Sequence, residues 1–136
     1  MSELKACWDD DGSAHRSETH RVDTGWGRVY VIIGSVGDST VRLQVVAGQS
    51  GGFINSWCEA LSELATLALR SGAPASGVSD ALLGIRTDRI DVDNGDAVLS
   101  IPDAAGIALK RHVEGRPGES VVGDFAERDE GHVADE

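Results

Sequence analysis

Two stretches in the first half of the chain, residues 28–34 and 40–47, are rich in β-branched residues and predict adjacent strands. A Gly-Asp pair between them suits a tight hairpin turn. In the second stretch Arg42 and Gln44 alternate with apolar residues, so we expect one packed face and one wetter face. The packed face is formed by Val41, Leu43, Val45 and Ala47.

A helical repeat of apolar residues follows in residues 56–70. Ser56 and Glu59 have the spacing of a capping box, with Asn55 as an alternative cap one residue earlier. Arg70 lies in the predicted last turn, where a cation interacts favourably with the carbonyl end of the helix. We expect this helix to be the central packing element and its apolar stripe to cover the packed face of the sheet. The stripe consists of Trp57, Leu61, Leu64 and Ala68, with Ala60 and Leu67 beside them.

Two further helices and a second turn are predicted in the rest of the chain. A short helix is expected over residues 76–83, and the Asn-Gly pair at 94–95 favours a small hairpin. A third helix opens at Ser100, with Pro102 in its first turn, and runs to about His112. The predicted fold class is therefore α+β, a small antiparallel sheet with two to three helices packed on one face.

The chain of 136 residues is expected to form one domain, and it is too short to contain the barrel of a radical enzyme. Residues 1–25 are predicted to be a polar, acidic lead-in that adds an edge strand around Thr19 to Asp23. Residues 26–113 are predicted to form the domain itself. Residues 114–136 are acidic and are expected to be mostly disordered, with a docking segment at Val121 to Phe125.

The charge balance argues against a nucleic-acid partner, because 12 basic residues against 23 acidic ones give a net charge of −11. No apolar run approaches the about 20 residues that a membrane span needs, so no membrane partner is expected. Cys7 and Cys58 lie outside any metal-binding or redox spacing and are expected to be reduced. These features predict a cytoplasmic protein, or one of the host cytoplasm if the chain is virus-encoded.

Three sequence blocks, in this order, resemble the TSCPD domain: GQSGGFINSWCEALSELATLALRSG at 48–72, LLGIR at 82–86 and SIPDAAGIALKRH at 100–112. The resemblance extends over roughly Arg28 to His112. That domain lies near the C-terminus of adenosylcobalamin-dependent, class II ribonucleotide reductases and also occurs as small free-standing proteins. Phe53 and Ile101 stand where the family often has cysteine, so we expect an apolar contact there instead of a thiol or metal role.

The glycine-rich loop before the long helix is a candidate anion site, because the open N–H groups and the dipole of a helix N-terminus both favour negative charge. The loop lacks the lysine of a Walker loop and the spacing of a dinucleotide fingerprint, and a tight structural turn is the alternative. The resemblance favours nucleotide or phosphate binding, since the parent enzyme handles nucleotides. The candidate ligand-binding residues are Gly48, Gln49, Ser50, Gly51, Gly52, Phe53, Asn55 and Ser56.

Arg70, Arg86 and Arg89 fall near the ends of the first two predicted helices. A guanidinium group is a planar fork that suits phosphate, so we predict that these arginines converge beside the loop as a phosphate clamp. The alternative is that they pair with nearby aspartates. Trp57 is predicted to lie in the core, with base stacking as the alternative, and Phe53 fits either role.

No catalytic constellation is evident in the sequence. The four histidines have no HxxxH or HExxH spacing, so no metal site is predicted. The C-terminal redox cysteine pair of class II reductases is also missing. We therefore expect no catalytic residues and no cofactor in this chain. The resemblance implies adenosylcobalamin, and vitamin B12-dependent ribonucleoside-diphosphate reductase activity, only for the related full-length enzyme.

The predicted function is that of a free-standing, non-catalytic accessory or nucleotide-binding module, with a class II ribonucleotide reductase as a partner. One alternative is a phage-type sponge that sequesters cyclic nucleotide immune signals, and another is a self-assembling interaction protein. A homo-oligomer is expected under each hypothesis, because Tyr30, Ile32 and Val46 make the second face of the sheet partly apolar.

Overall fold

The computed structural model describes residues 15–48, 51–116 and 119–121. Its four-stranded antiparallel sheet is built from β1 (His15–Thr24), β2 (Gly27–Val36), β3 (Ser39–Ala47) and β6 (Glu119–Val121). The order across the sheet is β3-β2-β1-β6. The predicted hairpin corresponds to β2 and β3. The first strand is longer than predicted and lies between β2 and β6, because its residues 17–19 pair with β6.

Three helices and a small hairpin complete the described part of the chain. The helices are α1 (Gly52–Arg70), α2 (Ala75–Leu82) and α3 (Ile101–Val113), and the hairpin joins β4 (Asp91–Asp93) to β5 (Asp96–Val98). At the hairpin turn Asn94 and Gly95 have φ values of 51° and 86°, as the predicted Asn-Gly turn requires. The predicted α+β class, with an antiparallel sheet and three helices, is confirmed.

The central helix of the core is α3, since nine of its 13 residues are buried. One side of α3 packs on β1 and β2, and another side packs on α2. Its small residues allow this close approach: a Cβ atom added to Gly106 would lie 3.1 Å from the backbone nitrogen of Leu83. The prediction that the long helix α1 is the central packing element is therefore wrong.

Helix α1 lies along the open edge of the sheet, where it satisfies backbone groups of β3. Ser62 Oγ accepts a hydrogen bond of 2.8 Å from the backbone N–H of Val45. Thr66 Oγ1 accepts one of 3.1 Å from the N–H of Leu43 and donates one of 3.0 Å to its carbonyl. An edge strand with unpaired backbone groups invites association, and α1 closes this edge with hydroxyl side chains.

The face of α1 that is buried differs from the predicted stripe. Of the predicted stripe, Leu61 and Ala68 pack against the core, whereas Trp57 and Leu64 are 63% and 66% exposed, so Trp57 is not a core residue. The side of α1 that contacts the β3 edge carries small or hydroxyl-bearing residues, because they allow close approach and their hydroxyl groups bond the β3 backbone. The buried residues of α1 are Cys58, Ser62, Ala65 and Leu69.

The predicted capping of α1 is also wrong. The helix begins at Gly52 with Gly51 as its cap residue, and no side chain of the described residues caps it. Ser56 is already inside the first turns, where its hydroxyl donates a hydrogen bond of 2.9 Å to the carbonyl of Phe53. The predicted packed face of the sheet is confirmed, since Leu43 is completely buried and Val45 nearly so.

Candidate functional site

A buried carboxylate joins the start of α3 to the loop that follows α2. Asp103 accepts hydrogen bonds from the backbone N–H groups of Gly84 (2.8 Å) and Leu99 (2.9 Å). Ser100 caps α3 by accepting a hydrogen bond of 3.0 Å from the N–H of Asp103, and its hydroxyl donates one of 2.6 Å to the carbonyl of Ile85. Residues 84–85 are therefore fixed to the N-terminus of α3.

A second polar cluster holds the β4–β5 hairpin against α3. The buried Arg111 donates hydrogen bonds of 3.0 Å to carboxylate oxygens of both Asp93 and Asp96, and one of 3.2 Å to the backbone carbonyl of Asp93. Asp93 also accepts a hydrogen bond of 3.1 Å from the N–H of Asp23, next to the end of β1. The guanidinium group of Arg111 therefore has a structural role, because its hydrogen bonds hold the hairpin in place.

Between α1 and the α2–α3 segment lies a groove of about 440 Å³ with an almost entirely apolar lining. The exposed side chains of Phe53, Trp57, Ala60 and Leu64 in α1 form one wall, and the start of α3 lies on the other side. Monomeric proteins rarely expose large continuous apolar surfaces without a function. The large apolar side chains that line the groove include Phe53, Trp57, Leu61, Leu64, Ile85 and Ile101.

Aromatic side chains cluster at the end of this groove where α1 begins. The rings of Phe53 and Trp57 meet edge to face with their centroids 6.2 Å apart. The guanidinium group of Arg89 lies 4.1 Å from the ring centroid of Trp26, which also lines the groove. Gly25 permits this approach, because a Cβ atom there would lie 2.6 Å from the carbonyl carbon of Arg89.

In a comparison with protein families, the TSCPD domain model matches residues 11–113 of this 136-residue chain. The chain belongs to the TSCPD domain family. Membership relates it to ribonucleotide reductases, with which this family is associated. No curated protein and no solved structure matches the chain. Within the described residues of this TSCPD domain, no helix is both long enough and apolar enough to cross a membrane.

In this TSCPD domain the segment that names the family is Leu99-Ser100-Ile101-Pro102-Asp103, and the structure gives it a clear role. Its serine and aspartate form the hydrogen bonds that tie residues 84–85 to α3. Ile101, at the cysteine position of the motif, lines the apolar groove together with Phe53. The two positions at which the family often has cysteine thus contribute to one apolar surface.

The predicted ligand-binding loop is described in part. Gln49 and Ser50 lie outside the described residues, whereas Gly48 donates a hydrogen bond of 3.4 Å to the carbonyl of Arg28. Gly51 accepts a hydrogen bond of 3.1 Å from the N–H of Asn55. The side chain of Asn55 lines a different depression, between β3 and α1.

The three predicted clamp arginines do not come together. Arg70 lies in the last turn of α1 and lines the depression between β3 and α1, beside Arg42. Helical geometry puts Arg70 about 27 Å along the helix axis from Gly52. Arg86 and Arg89 are exposed in the segment that follows α2, and Arg89 stacks on Trp26 near the aromatic end of the groove.

The described cysteine is not placed for thiol chemistry. Cys58 is a free, buried residue of α1, and burial raises the pKa of its thiol. The thiolate is the reactive form, so a raised pKa disfavours a nucleophilic role. Cys7 lies outside the described residues.

A cluster that the sequence spacing did not reveal connects β1 to the end of α3. Glu18 Oε1 accepts hydrogen bonds from His20 Nε2 (3.0 Å) and from His112 Nδ1 (2.5 Å). Burial lowers the pKa of His20, and the bond to Glu18 offsets this only in part. Burial alone would raise the pKa of Glu18, but the hydrogen bonds from His112 and His20 outweigh it and lower this pKa. The sequence could have indicated part of this cluster, because side chains alternate along a strand and Glu18 and His20 therefore lie on the same face of β1.

Proposed function

We propose that this chain is an accessory module of ribonucleotide reduction, without chemistry of its own, that self-associates through the exposed stripe of α1. Family membership supports the link to ribonucleotide reduction. The observation that carries the proposal is the stripe itself, where large apolar side chains of a 19-residue helix face solvent. The buried Cys58 thiol, with its raised pKa, supports a role in binding over a role in thiol chemistry.

The spacing of the stripe fits a second helix. Its members alternate at intervals of four and three residues, which is the pattern of the seam in a coiled coil. The small Ala60 is at the middle of the series, and larger side chains lie on both sides of it. This exposed stripe differs from the predicted one because it includes Phe53 and leaves out the half-buried Leu61 and Ala68. Its members in order are Phe53, Trp57, Ala60, Leu64 and Leu67.

A two-fold axis near Ala60 makes this stripe complementary to itself. In an antiparallel pair of α1 helices, Trp57 faces Leu64 of the second copy, and Phe53 faces Leu67. The Ala60 residues meet at the crossing point, where a small side chain permits close approach. Self-complementarity of one surface patch is what a symmetric dimer requires. The occupant of the groove beside α1 is therefore the α1 helix of a second copy.

Light scattering coupled to gel filtration tests this proposal. We expect the unmodified chain to have twice the chain mass, and Leu64→Glu to be monomeric because it puts a charge in the apolar seam. Ser76→Glu is the matched control, since it adds the same charge at an exposed position in the first turn of α2. A monomeric unmodified chain, or a dimer that persists in Leu64→Glu, would contradict the proposal.

The second candidate function is nucleotide binding at the aromatic end of the groove. The observation in its favour is the combination of exposed rings at Phe53 and Trp57 with exposed guanidinium groups at Arg86 and Arg89. Aromatic rings stack on bases, and arginines bind phosphate. A nucleotide held there would include the cyclic nucleotide signals of the sponge hypothesis.

A thermal-shift panel of dNTPs, NTPs and cyclic dinucleotides tests this second function. Stabilisation by mononucleotides supports a reductase-associated nucleotide module, and stabilisation by cyclic species alone supports a sponge. Arg86→Ala is expected to reduce the shift, whereas Arg70→Ala, at the far end of α1, is expected to leave it unchanged. Absence of a shift with every nucleotide would leave the accessory module as the proposed function.

A further inference from the structure

The cluster of Glu18, His20 and His112 brings three possible metal ligands together from distant parts of the chain. Glu18 Oε1, His20 Nε2 and His112 Nδ1 all lie within 4.8 Å of one another. Glu18 and His112 are 94 positions apart in sequence, so this proximity is a product of the tertiary fold. We propose that these three side chains bind a divalent cation of the zinc type and thereby tie β1 to the C-terminal end of α3.

The donor set fits this class of cation. Two imidazole nitrogens and one carboxylate oxygen form a ligand set that zinc uses, with a fourth position left for water. Imidazole favours Zn²⁺ and related transition ions over Mg²⁺ and Ca²⁺, which prefer sets made entirely of oxygen. Ligand atoms around tetrahedral zinc lie about 3.3 Å apart, given metal–ligand distances of 2.0–2.1 Å. The 3.0 Å between Glu18 Oε1 and His20 Nε2 is close to this value, whereas the 2.5 Å contact between Glu18 Oε1 and His112 Nδ1 must lengthen by about 0.8 Å to admit the ion.

Burial and access also suit a bound ion. His20 is 2% exposed, which fixes one ligand rigidly in the core. The side chains of His112 and Glu18 are 21% and 26% exposed, so an ion has a path from solvent. These partners come from one strand and one helix, and ligands on regular elements are held more precisely than ligands on loops.

The positive charge of Arg111 acts against a cation at this site, since it adds to the effect of burial in lowering the pKa of His20, but its effect there is smaller than that of Glu18. Arg111 precedes His112 in the chain, but its guanidinium group is bonded to the carboxylates of Asp93 and Asp96. The chain as a whole carries a net charge of −11, which favours the approach of cations. The electrostatic balance at the cluster is therefore set mainly by the ionised Glu18.

Calorimetric titration of the chelator-treated full chain with Zn²⁺ tests the proposal. Cys7→Ser is used as the background, because a cysteine thiolate is itself a zinc ligand. We expect one saturable site per chain. Glu18→Gln and His112→Ala should each weaken binding by at least the ~10-fold that loss of an outer-shell partner costs. Glu63→Gln, which changes an exposed carboxylate of α1 in the same way, is the matched control.

Cobalt substitution identifies the ligands independently. Co²⁺ bound by imidazole and carboxylate should show visible bands without a thiolate charge-transfer band. Far-UV circular dichroism of each variant confirms that it is folded before its affinity is compared. The proposal is overturned if no site saturates at one ion per chain, if folded Glu18→Gln and His112→Ala bind zinc as the background does, or if a thiolate band appears. Because the readout is metal affinity and not molecular mass, failure here is separate from failure of the proposed self-association.

Discussion

Asp103 illustrates how one side chain fixes the position of a distant segment. Its two carboxylate oxygens accept hydrogen bonds from the N–H groups of Gly84 and Leu99, and the residue is 3% exposed. Hydrogen bonds to a charged acceptor are stronger than those between neutral groups, and loss of this acceptor leaves two partly buried N–H groups unpaired. The family motif around Asp103 therefore serves to hold the chain together at the groove.

Replacing Asp103 with alanine should lower the free energy of unfolding by about 2–4 kcal/mol, since two charge-assisted hydrogen bonds are lost and two donors are left unpaired. Urea denaturation measures this change. Asp88→Ala, at an exposed position, is the control and should stay within about 0.5 kcal/mol of the unmodified chain. Equal stability of the two variants would show that the carboxylate does not hold the loop.

The predictions for single residues were correct at some positions and wrong at others. Ser100 was expected to open the third helix, and it does cap α3. Ser56 was expected to cap α1, yet it lies inside that helix. The capping-box motif does not distinguish a serine that caps a helix from a serine inside a helix that has already begun. Here α1 begins at Gly52, four residues before Ser56. The cluster of Glu18, His20 and His112 was missed because its members are far apart in sequence.

At the scale of elements, the sequence predicted which segments are helical but not which helix is central. The periodicity of the sequence shows that α1 has an apolar face. It does not show which element packs against that face, because this depends on contacts between residues far apart in the chain. Helix α3 occupies the core because its small residues let it approach β1, β2 and α2 closely. Helix α1 instead places hydroxyl groups against the β3 edge, and its large apolar residues remain exposed.

The edge contact of α1 gives a prediction for Ser62. Its hydroxyl accepts from the N–H of Val45 and donates to the carbonyl of Cys58. Ser62→Ala leaves the buried N–H of Val45 without this acceptor and should lower the free energy of unfolding by about 1–3 kcal/mol. Ser56→Ala, which removes an exposed hydroxyl of the same helix, is expected to change it by less than about 0.5 kcal/mol. Chemical denaturation of both variants measures the difference.

For the molecule as a whole, the α+β class and the family were both predictable from sequence, because strand alternation and three ordered motifs are local signals. The exposed stripe of α1 was not predictable in that way. A chain that places Trp57 and Leu64 in solvent has an apolar surface that a second copy can cover. We therefore propose that α1 mediates self-association, whereas α3 forms the centre of the core.

Disulfide trapping at Ala60 tests that account most directly. Ala60→Cys is made in a Cys7→Ser background, where the remaining Cys58 is buried and has a raised thiol pKa. If α1 pairs antiparallel about Ala60, mild oxidation should give a covalent dimer of twice the 14.3 kDa chain mass on a non-reducing gel. Ser76→Cys in the same background should remain monomeric. A monomeric Ala60→Cys chain, or equal cross-linking of both variants, would contradict the proposed assembly.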